Sequence, residues 1–144
     1  CLGGNGYVEE GILARHYRES PVNAIWEGSG NVMCLDVLRV LSREAEAAAA
    51  VLQGLAGETQ GLPGAGEAVS FIARAFRRPD GERVARLAVE KLALLAAVAA
   101  LNQVSPRHAE LFAATRLAEN HASMYGAVDL AADDISGLLE RALP

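Results

Sequence analysis

A chain of 144 residues, 51% hydrophobic and only 5% aromatic, is long enough to bury one core, and its Ala- and Leu-rich balance favours helices packed through small and straight-chain side chains. The formal charge of −5, from 13 basic and 18 acidic residues, gives the chain as a whole no electrostatic footprint for nucleic acid, so any such binding has to be local. Two distant cysteines, Cys1 and Cys34, argue against a zinc site or a disulfide framework, nothing reads as a signal peptide, and the longest strongly apolar run, 92–101, is too short to span a bilayer. The expectation is a soluble, cytoplasmic, all-α protein without a membrane partner. The chain starts at a cysteine and its first methionine is Met33, so it reads as a piece of a longer protein.

In chain order, glycines at 3, 4, 6 and 11 suit a tight, extended glycine-rich passage before a short helix over about 12–18, which Pro21 ends. Gly28 and Gly30 flank Ser29, and behind them Val32, Leu35, Leu38 and Leu41 keep an apolar stripe at helical spacing. That spacing predicts a first long helix over about 31–55, with Ser29 or Asn31 able to cap its free N–H groups. Five glycines and Pro63 between 54 and 66 mark a hinge. A second helix is predicted over about 67–78, stopped by Pro79, and a third from Asp80 to about 104. Ser105 and Pro106 supply an N-cap and a first-turn proline for a fourth helix towards Tyr125, and a weaker helical segment covers about 130–142. Amphipathic helices joined by short turns predict an antiparallel helical bundle. The working division is 1–56 and 57–144.

Two strings near the start carry chemistry. Gly3-Gly4-Asn5-Gly6-Tyr7 lets backbone N–H groups approach a phosphate, but it follows no strand and lacks dinucleotide-fold spacing, so a plain turn is the alternative. In Ile25-Trp26-Glu27-Gly28-Ser29-Gly30-Asn31 a carboxylate sits between an indole and a glycine loop, and desolvation there makes Glu27 a stronger base near neutral pH. The alternative is a carboxylate favoured by the dipole of the following helix.

The two strings together, with Arg15-His16-Tyr17-Arg18-Glu19 between them, resemble the acyl-CoA dehydrogenase signature over roughly the first 43 residues: GG-x-GY, an Arg-rich short helix, then (Tyr/Trp)-Glu-Gly-(Thr/Ser) opening a long helix. Trp26, Ser29-Gly30-Asn31 and the run from Val32 to Arg39 look nearest to the AidB-like branch, tied to the adaptive response to DNA alkylation. The resemblance implies the helical C-terminal domain of an FAD-dependent oxidoreductase that oxidises an acyl-CoA thioester between its α and β carbons. It implies Glu27 as the base that takes the α-proton, Gly28 at the substrate, Ser29 and Asn31 at FAD, and Gly3 and Gly4 reaching the FAD of a neighbouring subunit in a homo-oligomer. The family's glutamine before the glycine pair has no counterpart after Cys1, and Asn31 stands where glutamine is usual. Most of the flavin and substrate pocket would lie in N-terminal domains outside this chain, so the fragment alone is expected to be catalytically incompetent.

Arg74, Arg77, Arg78, Arg83, Arg86 and Lys91 face three acids, Asp80, Glu82 and Glu90, a local excess of three positive charges. Read with the AidB-like resemblance, this makes a duplex-DNA-binding helical module the competing function, with contacts to successive phosphates. The alternative is a solvated face with internal ion pairs such as Glu82 with Arg86. Phe71 and Phe76 are expected on the core side, leaving few aromatics to stack on single strands. A third reading is an oligomerisation bundle. His16, His108 and His121 lack metal-ligand spacing, Trp26 reads as a core or pocket-wall residue, and Glu119-Asn120-His121 reads as a polar helix face. Tyr125 is expected to end its helix against the core, and Asp133-Asp134 to supply helix N-terminal charge.

Overall fold

The computed structural model describes residues 2–26, 28–118 and 130–142. These residues are helical throughout their regular structure, with no strand among them. A 3-10 turn, Gly3–Gly6, precedes α1 (Leu13–Glu19), and a second, Ser20–Ala24, carries Pro21 in its first turn. Then come α2 (Gly30–Arg43), α3 (Ala45–Glu58), α4 (Ala65–Arg77), a 3-10 turn Gly81–Val84 and α5 (Ala85–Val104). The last described elements are α6 (Pro106–Phe112), a π-helical stretch Ala113–Leu117 that continues it, and α7 (Ala132–Ala142).

Five boundaries differ from the sequence expectation, the first being the fourth helix, expected towards Tyr125, which ends at Leu117 where Ala118 turns extended at φ −64 and ψ 155. The glycine-rich start winds into the Gly3–Gly6 turn rather than running extended, since the Tyr7 and Val8 amides donate back to the Gly4 carbonyl at 3.0 and 3.2 Å. The first long helix is two helices, because Glu44 leaves helical geometry at φ −114 and ψ 49. Gly54 and Gly57 lie inside α3, so the hinge shortens to residues 59–64, where Gly61 and Gly64 take positive φ. There the neighbouring alanines and leucines carry the helix past two poor helix formers. The third helix opens with a 3-10 turn at residue 81 before regular α geometry sets in.

By contact the chain divides into two compact units, one within 1–51 and 71–90, the other within 52–70 and 91–144. In the first, Ile72 and four alanines, Ala14, Ala75, Ala85 and Ala88, are buried. Gly81 is needed there, because a Cβ at this position would stand 2.8 Å from the Ala75 carbonyl oxygen. In the second unit, Leu95, Val98 and Ala99 of α5, Ala65 and Ala68 of α4, and Ala109, Ala113 and Leu117 are buried. Thr59, its one buried polar residue among those described, is satisfied by donating to the Leu55 carbonyl at 2.7 Å. Asn102 donates to the Glu58 carbonyl at 2.9 Å, capping an otherwise orphan group at the end of α3.

Candidate functional site

The segment before and into α2 is built from turns. Ile25 and Trp26 amides both donate to the Val22 carbonyl, at 3.0 and 2.8 Å, and Gly28 donates to the Ile25 carbonyl at 3.1 Å. Gly28 itself has φ +124, a conformation that side-chain-bearing residues rarely adopt. Ser29 is extended at the N-cap of α2, with φ −66 and ψ 151, and its hydroxyl makes no capping bond. The amides of Gly30, Asn31 and Val32 have no carbonyl one turn earlier within α2, so the helix opens on donors without a backbone partner among the described residues. Asn31 meets Arg86 of the same compact unit, Nη1 to Oδ1 at 3.4 Å. Glu27 lies outside the described residues.

Gly3 has φ +56, and a Cβ at Gly3 or Gly4 would meet no atom within 4 Å, so both backbones face open space. α1 is held to the preceding loop by Arg18, which donates to both oxygens of Glu9 at 2.6 and 3.3 Å, a pairing that raises the Arg18 pKa. Around this frame Ile12, Tyr17, Val22, Ile25, Val32 and Met33 are all exposed, and Ala14 is the only buried residue described before residue 50. Trp26, expected as a core or pocket-wall residue, is 65% exposed.

The basic cluster is distributed differently from a simple stripe. Arg74 and Arg77 are exposed on α4 with no ion-pair partner among the described residues. Arg78 instead chelates Asp80 across Pro79, both bonds at 2.9 Å, which raises the guanidinium pKa and lowers that of the carboxyl. Arg83 approaches the same carboxylate at 3.9 Å. The expected Glu82 to Arg86 pair is not formed, since Arg86 reaches Asn31. Phe71 and Phe76, expected on the core side, are half-buried, because the buried stripe of α4 runs through Ala65, Ala68, Ile72 and Ala75. Phe71, Arg74, Arg77, Arg78 and Val84 line a pocket of about 540 Å³.

Among the described residues no group of acids, histidines and cysteines could hold a metal, and no helix is long and apolar enough to cross a membrane. His108 shares a 2.6 Å hydrogen bond with Ser105, and His16 lies 4.0 Å from Glu19. His121, Tyr125 and the Glu119-Asn120-His121 string lie outside the described residues. The sequence reading missed the cross-links Asn31 to Arg86 and Arg107 to Asp134, which join residues 55 and 27 positions apart and leave no periodic signal.

Comparison with known proteins concentrates on this first segment. Residues 1–42 match the family model described as acyl-CoA dehydrogenase, C-terminal domain. Over 44 residues, 31% of this chain, it is 73% identical to the Escherichia coli (strain K12) protein named "Putative acyl-CoA dehydrogenase AidB". Over 42 residues, 29% of the chain, it is 52% identical to "Acyl-CoA dehydrogenase family member 11" of Caenorhabditis elegans. The aligned stretches make up 8% and 7% of those two relatives, so the chain corresponds to a small part of each.

Proposed function

We propose that residues 1–56 are the end of an acyl-CoA dehydrogenase C-terminal helical domain, followed in 57–144 by an additional helical segment, and that the chain works as part of an FAD-dependent flavoprotein. The observation that carries this reading is the 42-residue family match falling on a segment whose large apolar side chains stand exposed. A folded chain seldom leaves so many large apolar side chains uncovered unless another domain or subunit packs on them. The rest of the flavoprotein, and a second copy of it in a homo-oligomer, are the proposed partners.

The residues present fit one edge of FAD. Gly3 and Gly4 present open backbone, and α2 begins with amides lacking a backbone partner among the described residues, beside an uncommitted Ser29 hydroxyl, donors suited to the anionic part of a dinucleotide. Ser29 and Asn31 would hold that edge, Gly3 and Gly4 would reach the FAD of a neighbouring subunit, and Gly28 would lie against the acyl-CoA substrate. When bound, FAD supplies the two-electron acceptor for oxidation of the thioester. Glu27, fixed in sequence between the Val22 to Trp26 turn and Gly28, would take the proton from the carbon α to the thioester carbonyl. Expressing the chain with the upstream sequence of its gene tests the reading. A yellow protein with bound flavin supports it, and a colourless protein that retains no flavin overturns it.

A second reading is favoured by one observation, that Arg74 and Arg77 are exposed on one helix face without ion-pair partners among the described residues. With Arg78, Arg83 and Arg86 they would contact backbone phosphates of duplex DNA. Anisotropy titrations at several salt concentrations, with Arg74→Ala and Arg77→Ala combined, test it. Loss of affinity with a shallower salt slope supports the reading, and an unchanged slope removes it.

A further inference from the structure

We infer that the unit formed by the end of α5, α6 with its π-helical extension, and α7 is a binding site for a single-chain aliphatic carboxylate. The pocket there has a volume of about 450 Å³, within the size range of small-molecule sites. Leu101, Leu111, Phe112 and Leu138 give it apolar walls, and Arg116 and Arg141 supply the charge. Among the described residues no carboxylate lines it. Of the acids on α6 and α7, Glu110 and Asp134 are engaged by Arg107. Arg116 and Arg141 have no hydrogen-bond or ion-pair partner among the described residues.

Local backbone shape supports a site rather than a packing flaw. His108, Leu111, Phe112, Thr115 and Arg116 follow helical spacing along one face, and within that face the chain changes to π geometry at Ala113–Leu117. The Ala118 amide closes the stretch on the Ala113 carbonyl at 2.9 Å, five residues back. Such wide turns are rare and are frequently found at functional sites. Thr115 keeps its hydroxyl on the Leu111 carbonyl at 2.8 Å, so it lines the pocket without needing a ligand. His108 is likewise engaged through Nδ1 by Ser105, which leaves the two guanidinium groups as the recognition elements.

The ligand chemistry follows from that pairing. Two unpaired guanidinium groups beside apolar walls match a carboxylate that ends an alkyl chain, because the fork of each arginine accepts carboxylate geometry and the chain replaces water against leucine and phenylalanine. A neutral alkyl chain would leave both charges without a partner. A compact inorganic anion would leave the apolar walls wet.

Calorimetric titration of the 144-residue chain with sodium decanoate tests the inference, with 1-decanol and sodium acetate as controls. One decanoate per chain is expected, with decanol and acetate each at least about tenfold weaker because each lacks one half of the interaction. Arg116→Gln combined with Arg141→Gln should weaken decanoate by about tenfold or more, and both side chains are exposed, so the fold should survive. Phe112→Ala provides an independent arm on the apolar wall and should also weaken decanoate while leaving acetate unchanged. Decanoate binding that is insensitive to both variants, or equalled by decanol, overturns the inference.

Discussion

Arg107 of α6 grips Asp134 in the first turn of α7, donating from Nε to Oδ1 at 2.8 Å and from Nη2 to Oδ2 at 2.5 Å. The Asp134 side chain is only 12% exposed, although α7 buries no residue completely. The sequence reading treated this aspartate as helix N-terminal charge, and the structure adds an anchor across 27 residues. Asp134→Ala removes this cross-link to Arg107, so it should loosen α7 more than any other helix. Amide exchange resolved by residue should show faster exchange across Ala132–Ala142 with α4 and α5 unaffected. Equal exchange in α7 before and after the change would remove the anchor.

The core of the second unit should dominate the stability of the isolated chain. Leu95 is fully buried, and Leu95→Ala should cost about 2–5 kcal/mol through lost burial and the cavity left behind. Val40 in α2 is 58% exposed, and Val40→Ala should change stability by less than about 0.5 kcal/mol. Urea denaturation of both variants checks the contrast. A comparable loss for Val40→Ala would mean that α2 packs within the isolated chain after all.

Glycines 54 and 64 should respond in opposite directions. Gly54 lies inside α3 with open space around a Cβ, so Gly54→Ala should stabilise by about 0.5–1 kcal/mol. Gly64 has φ +73, and a Cβ there would stand 2.6 Å from the Ala118 amide nitrogen, so Gly64→Ala should destabilise by more than about 1 kcal/mol. Thermal melts of the two variants give the signs directly.

Local signals in the sequence were readable where a single residue dictates geometry. Pro79, Ser105-Pro106 and the Ser29 N-cap each stand at a boundary that the structure keeps. Signals failed where neighbours decide. Glu44 interrupts helix with no glycine or proline to announce it, and Gly54 and Gly57 stay helical despite theirs. The π-helical stretch at Ala113–Leu117 has a sequence indistinguishable from ordinary helix, so the pocket it lines was invisible. The ordered strings around Gly3-Gly4 and Glu27-Gly28-Ser29 were legible because their residue types and order are specific. Their exposed setting was not, because the same leucine, isoleucine and tryptophan pattern describes a face packed on its own chain or on another.

The central claim is that this chain supplies the base of a flavin-dependent acyl-CoA oxidation, and anaerobic titration of the full-length flavoprotein with acyl-CoA thioesters tests it most directly. Glu27→Gln keeps the size of the side chain and removes its basicity, so the variant should keep its flavin but lose substrate-dependent bleaching of the flavin absorbance, with a rate at least about a hundredfold below that of the unmodified protein. Bleaching by the variant at the unmodified rate would contradict the account and place the base on another residue.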